Sequence, residues 1–205
     1  DLHSFPTRRS SDLEIIATVS STGVITGISE GITTITVTTS NGKSGSCQVW
    51  VVPRYQMGEI FTAETEEGVE MKFKVTDIQA KTCCVYGDYT EPAIQKSTES
   101  SITIPSRAKG YPVVSIGEYA FKECGNLTSV FIPKGVATIG ESAFEDCSSL
   151  TSITLPENVT SISNYAFYGC NSLTSVIAEM ESPAAIEKNT FSNRKNATLY
   201  VLADS

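Results

Sequence analysis

The chain is short of the residues that do chemistry. Its 205 residues hold a single histidine, His3, and a single tryptophan, Trp50. With one imidazole, Ser-His-Asp and Cys-His arrangements have almost no base to draw on. No G-x-G-x-x-G occurs. Asn41-Gly-Lys-Ser44 ends like a phosphate-binding loop, but Val37 stands where the first glycine belongs, and a hairpin turn accounts for the segment. Basic charge is scarce as well: 15 Lys and Arg face 23 Asp and Glu, a net charge of −8. That balance excludes the basic footprint nucleic acid requires, and acidity alone names no partner. No apolar run approaches the roughly 20 residues of a membrane span, so no membrane insertion is expected within this stretch. None of the six cysteines makes a C-x-x-C pair, the spacing that zinc favours. Neither a catalytic residue, nor a cofactor, nor a metal is expected.

What the chain has is repetition. Leu127-Thr-Ser-Val-Phe-Ile-Pro133 returns as Leu150-Thr-Ser-Ile-Thr-Leu-Pro156. Ile139-Gly-Glu-Ser-Ala-Phe144-Glu-Asp-Cys147 returns as Ile162-Ser-Asn-Tyr-Ala-Phe167-Tyr-Gly-Cys170. At a step of 23 the columns are Leu127/Leu150/Leu173, Val130/Ile153/Val176, Ile116/Ile139/Ile162, Phe121/Phe144/Phe167 and Cys124/Cys147/Cys170. A fixed period of this size is the signature of a solenoid. One unit buries about seven apolar side chains at roughly 1.5–3 kcal/mol each. Ordering its backbone costs roughly 1–2 kcal/mol per residue. A lone unit cannot balance that cost, so the units must stack and share hydrogen bonds.

Taken in order, residues 1–12 stand apart. Asp1-Leu-His-Ser-Phe-Pro-Thr-Arg-Arg-Ser-Ser-Asp12 resembles the in-frame translation of a short-read sequencing adapter, and residues 1–13 are set aside as non-native. The competing reading is a natural Arg/Ser-rich terminus. Setting them aside removes His3 and leaves the net charge at −8, because two acids and two bases go together. Residues 14–53 read as short alternating strands between glycine turns. Asn41-Gly42 signals a hairpin, expected as a type I′ turn with positive φ at both positions. Residues 54–108 read as a cap that shields the first repeat. Within it Val69, Met71, Phe73 and Val75 alternate with charged residues as a half-buried strand. Cys83 and Cys84 point to opposite faces of another strand, and residues 87–100 read as a polar surface loop. Glu64, Glu66, Glu67 and Glu70 gather near a turn and could hold a hard cation, although a solvated hairpin tip is the favoured reading. From Tyr111 the repeats run on; in the last unit Ile186 and Phe191 fall at a step of 24 and the cysteine is gone.

Two family resemblances follow from these residues. Ala17-Thr-Val-Ser-Ser-Thr-Gly-Val-Ile-Thr-Gly-Ile-Ser-Glu-Gly31, followed by an Ile-Thr-Val strand, resembles the bacterial Ig-like group 2 (Big2) domain. It covers the C-terminal half of such a domain, residues 14–53, and Cys47 is expected in its core. Gly110-Tyr-Pro-Val-Val-Ser-Ile-Gly-Glu-Tyr-Ala-Phe121 with Cys124, and the units after it, resemble the BspA-like leucine-rich repeats of bacterial surface proteins. The fold class expected is mostly β: a leucine-rich-repeat solenoid of 23-residue units over residues 109–205, truncated at its C-terminal end, with a β cap, preceded by a partial Ig-like β-sandwich. The resemblance implies a secreted or surface-anchored bacterial protein whose role is adhesion or protein–protein recognition. The implied partners are proteins, host extracellular and other cell-surface proteins among them. The alternative is an accessory or spacer region of a larger secreted enzyme, a glycan hydrolase or a protease.

The candidate surface lies on the strands. If Val130 and Ile132 point inward, Ser129 and Phe131 point out, with Ser152 and Thr154, then Ser175 and Ile177, as their equivalents. Together they make a shallow strip, partly apolar and partly hydrogen-bonding, of the kind solenoids use for binding. Outward strand positions are also often mere β-formers. Cys124, Cys147 and Cys170 read as small buried hydrophobes behind the phenylalanines, because parallel Cβ vectors make poor bridge geometry. Asn126, Asn158 and Asn196 match the glycosylation pattern and read as turn residues.

Overall fold

The computed structural model describes residues 8–98, 100–182, 184–187, 189–191 and 198–201, so His3 and Asn196 lie outside the described residues. Among the described residues all regular structure is strand, with turns between. The chain divides into two compact units, Asp1–Arg54 and Tyr55–Ser205.

In the first unit, β1 (Arg8–Ser11), β4 (Gly31–Thr38) and β5 (Ser44–Val51) form an antiparallel sheet in that order, and β2 (Ala17–Val19) pairs with β3 (Ile25–Gly27). Thr33 and Ile35 on β4 are buried, as is Ala17 on β2. Two expectations need revision, and part of the segment set aside above carries a strand. Arg8–Ser11, set aside from the fold, pairs with β4 from Thr38 to Ile35; main-chain pairing along an open strand edge requires no particular side chains. Cys47 sits opposite Ile35 but is exposed, because burial on this face is confined to β4 and does not extend to β5. Asn41-Gly42 does close a hairpin, as a longer turn than type I′. Gly42 N donates to Thr39 O at 2.9 Å and Thr39 N to Lys43 O at 2.8 Å. Only Gly42 of the pair has a positive φ, 81°, so the loop is a type I turn closed by a left-handed glycine.

The second unit opens with β6 (Ile60–Glu64), β7 (Glu70–Asp77) and β8 (Thr82–Val85), an antiparallel series. Met71, Phe73 and Val75 face inward and are buried, as their alternation requires. Tyr55 stacks on Phe61 at 4.3 Å, and Phe61 lies against Phe73 and Tyr111. The pairing then turns parallel. β8, β11 (Tyr111–Ile116), β13 (Thr138–Ile139), β15 (Ser161–Ile162) and β17 (Ala185–Ile186) lie side by side, and β10 (Arg107–Ala108) pairs with β11. A second parallel sheet runs β9 (Ser100–Thr103), β12 (Leu127–Phe131), β14 (Ser152–Leu155), β16 (Ser175–Ala178) and β18 (Thr198–Val201). Each coil gives one strand to each sheet, so the unit is a solenoid with its core between them.

The columns meet as the period demands. Ile116 pairs with Ile139, Ile139 with Ile162 and Ile162 with Ile186. Phe121, Phe144, Phe167 and Phe191 form one continuous stack, with ring centroids 5.0, 5.2 and 5.1 Å apart and planes within 13°. Cys124, Cys147 and Cys170 are free thiols and buried. The Cys147 thiol donates to Phe121 O and that of Cys170 to Phe144 O, both at 3.1 Å, so these two cysteines also tie their coils to the one before. Two corner positions in each of three coils are left-handed: Tyr119, Ser142 and Tyr165, then Glu123, Asp146 and Gly169, with φ between 53° and 72°. Among them only Gly169 announced this in its residue type.

Residues 87–100 are not a plain surface loop. Ala93 and Ile94 are buried, Lys72 N donates to Ala93 O at 2.8 Å, and Ala93 N donates to Ala120 O at 2.6 Å. In the next coil Phe121 N donates to Ala143 O at 2.7 Å, so residues around Ala93 do for the cap what the Ala-Phe turn does for the repeats. Polar composition concealed two apolar residues at the position that counts.

Candidate functional site

The outward face of the β9-β12-β14-β16-β18 sheet is built by alternation. Leu127, Val130 and Ile132 are buried, as are Ile153 and Leu155, then Val176 and Ala178. The residues between them must point out. Ser129, Ser152 and Ser175 stand in register and are half-buried, with Ser101 ahead of them and Thr198 after. The Ser101 and Ser129 hydroxyls bond at 2.5 Å. Beside this row Thr154 pairs with Ile177, and Phe131 occupies the same place one coil earlier. Phe131 is 59% exposed and Ile177 39%. The six candidate residues thus come together as two adjacent rows on one sheet.

The second row is longer than the repeat columns suggested. Thr103 is the register partner of Phe131, and Tyr200, 54% exposed, is that of Ile177. Tyr200 follows Ile177 by the same 23 residues, although the step of 24 at Ile186 and Phe191 hides it. At β18 the step is 23 again. Thr103 carried no such signal, since the cap spacing is irregular. Along the strand starts, Thr151 and Thr174 each donate main-chain N–H and hydroxyl to the carbonyl of the threonine one coil earlier, at 3.0–3.3 Å. These hydroxyls brace the rows from the edge.

One carboxylate reaches this face. The β6–β7 hairpin tip sends Glu67 to Thr103, whose main-chain N–H and hydroxyl donate to it at 3.1 and 2.6 Å. Those bonds, the hydroxyl's first, hold the Glu67 carboxyl down at about 2 against an ordinary 4.5. Glu64, Glu66 and Glu70 do not converge with it; among the described residues no three His, Cys, Asp or Glu side chains are placed to hold a metal. Of the asparagines in the glycosylation pattern, Asn158 serves a turn, its Nδ2 donating to Lys134 O at 2.8 Å. No helix among the described residues is long and apolar enough to cross a membrane.

Known proteins can now be set beside this geometry. Residues 95–204 match the BspA type leucine rich repeat region, in six copies. No curated protein matches the chain. Among solved structures, a leucine-rich repeat protein from Bacteroides capillosus is 25% identical, with a TM-score of 0.52 over 69% of this chain and 99% of its own. A leucine rich repeat protein of T. pallidum is 26% identical, with a TM-score of 0.46 over 53% of this chain. A leucine rich cell surface protein from Faecalibacterium prausnitzii is 22% identical, with a TM-score of 0.47 over 69% of this chain. The chain spans 50% of the T. pallidum protein and 43% of the Faecalibacterium protein.

Proposed function

The chain belongs to the BspA-type leucine-rich repeat family, and on that premise we propose that it is a non-catalytic recognition module of a bacterial cell surface. Solenoids of stacked repeats generally bind other proteins on an extended face. The occupied face is that of the long-strand sheet, and the partner is an extracellular protein, of host or neighbouring cell. Residues 14–53 serve as part of an Ig-like spacer, with residues 54–108 as the cap of the repeats. The observation that carries the reading is the outward row Thr103, Phe131, Thr154, Ile177 and Tyr200, with exposed apolar and aromatic groups beside a row of hydroxyls. Exposed apolar surface in a continuous patch marks interaction sites. No residue on that face is assigned a catalytic step.

Surface plasmon resonance against a panel of purified host matrix proteins tests the proposal. Saturable binding that weakens at least about tenfold in Phe131→Ser and in Ile177→Ser supports it; tenfold corresponds to about 1.4 kcal/mol. No saturable binding, or binding indifferent to both substitutions, overturns it.

A further inference from the structure

Away from the strand face, the cap contains a cleft of about 740 Å³ between the β6–β7 hairpin and residues 90–98. That size lies in the range of small-ligand sites, about 300–1,000 Å³. We propose that this cleft is a second binding site, and that its ligand is a short uncharged saccharide.

The wall on the hairpin side carries Thr62, Glu70 and Lys72; the facing wall carries Thr90, Gln95 and Thr98. Val69, Pro92, Ala93 and Ile94 make a narrow apolar floor, the last three buried. The charges of the lining balance, Lys72 and Lys96 against Glu70 and Glu91. Lys72 pairs with Glu91 at 2.8 Å, and Lys96 pairs with Glu123 at 2.6 Å. Neither a phosphorylated ligand nor a polycation meets a net field of opposite sign there. The lining contains no aromatic ring, so a ligand there is held by hydrogen bonds and not by stacking. The floor is too slight for a lipid chain. What remains is a set of hydroxyl, amide and carboxylate groups, and those of Thr62, Glu70, Gln95 and Thr98 have no hydrogen-bond partner among the described residues. Sugar hydroxyls each donate and accept, so they match a lining of mixed capacity better than one of a single sign.

The walls are also fixed before any ligand arrives. The main chain of residue 93 is held by Lys72 on one side and Ala120 on the other. At the rim, Asp88 Oδ1 accepts from Thr90 N, Thr90 Oγ1 and Glu91 N at 2.9, 2.6 and 2.9 Å. A ligand entering such a cleft meets polar groups already in place, which lowers the cost of ordering on binding.

Isothermal titration calorimetry of the full chain with chitotriose and with cellotriose tests the proposal, with triglycine, trilysine and triglutamate in parallel. The expected result is saturable binding of at least one saccharide, weakened about tenfold or more in Gln95→Ala and Thr98→Val, each confirmed folded by its melting curve. Binding should survive Phe131→Ser and Ile177→Ser unchanged, which separates this site from the strand face. No binding of either saccharide, binding insensitive to both cleft substitutions, or binding of a tripeptide in their place overturns the proposal.

Discussion

Cys47 and Cys147 share a side chain and little else. Cys47 is exposed at the edge of a sheet, whereas Cys147 is fully buried behind the phenylalanine stack. Burial pushes the thiols of Cys83, Cys124 and Cys170 up to about 12, and that of Cys147 well above its ordinary 9.0. Thiolate is the reactive form. A thiol reagent at neutral pH is therefore expected to modify one cysteine per folded chain and all six after unfolding, counted by mass spectrometry; prompt labelling of Cys147 in the folded protein would contradict the packing. The same shifts have a sign in pH. The unfolded thiols ionise near 9 and the folded ones near 12, so their contribution to stability is complete below about 9 and is lost as pH rises toward 12. Backbone conformation gives a second test at this scale. Gly169 has φ +72°, and a Cβ there would collide with the Asp146 carboxylate. Gly169→Ala is expected to lower stability by about 1–3 kcal/mol in a urea titration, and an unchanged midpoint would place that corner elsewhere.

Among the elements, the β6–β7 hairpin shows what local pattern conveys and what it hides. Alternation gave β7 with its buried residues, and the acidic tip looked like solvated surface. The pairing of Glu67 with Thr103 spans 36 residues of chain, and no local signal encodes a contact of that separation. Its lowered carboxyl value makes the contact visible in solution. The contribution is present above the ordinary 4.5 and is lost as pH falls through about 2. The melting gap between the protein and Glu67→Ala should therefore be open at pH 6 and close between about 4.5 and 2; a gap independent of pH would sink the latch. The strand face reads differently. Ser129, Phe131, Ser152, Thr154, Ser175 and Ile177 were legible because a strand's two-residue alternation assigns every side chain once one is known. Thr103 and Tyr200 escaped because the irregular cap and the longer last unit break the count at which columns are compared. Cys47 misled for another reason: alternation gives the face of a strand and says nothing of whether anything covers it.

For the repeat unit as a whole, stability is a property of neighbours. Leu150 is fully buried between coils. Leu150→Asp places an unpaired charge there at a cost of several kcal/mol, against a total of about 5–15 kcal/mol for a domain of this size. Circular dichroism should show a lowered and broadened melt, and a melt as sharp and as high as the parent's would contradict the register. Period carried most of this architecture into view, since columns 23 residues apart can only be satisfied by stacking. It could not reveal the cap cleft, which arises where the period fails.

The unbroken file of Phe121, Phe144, Phe167 and Phe191 has a mechanical corollary. Coils held to one another by equivalent contacts should yield to tension in equal instalments, peeling from an end instead of rupturing together. A released coil of 23 residues pays out about 80 Å of extended chain. A solenoid made this way would give ground under load by discrete lengths and recover each one as the load falls.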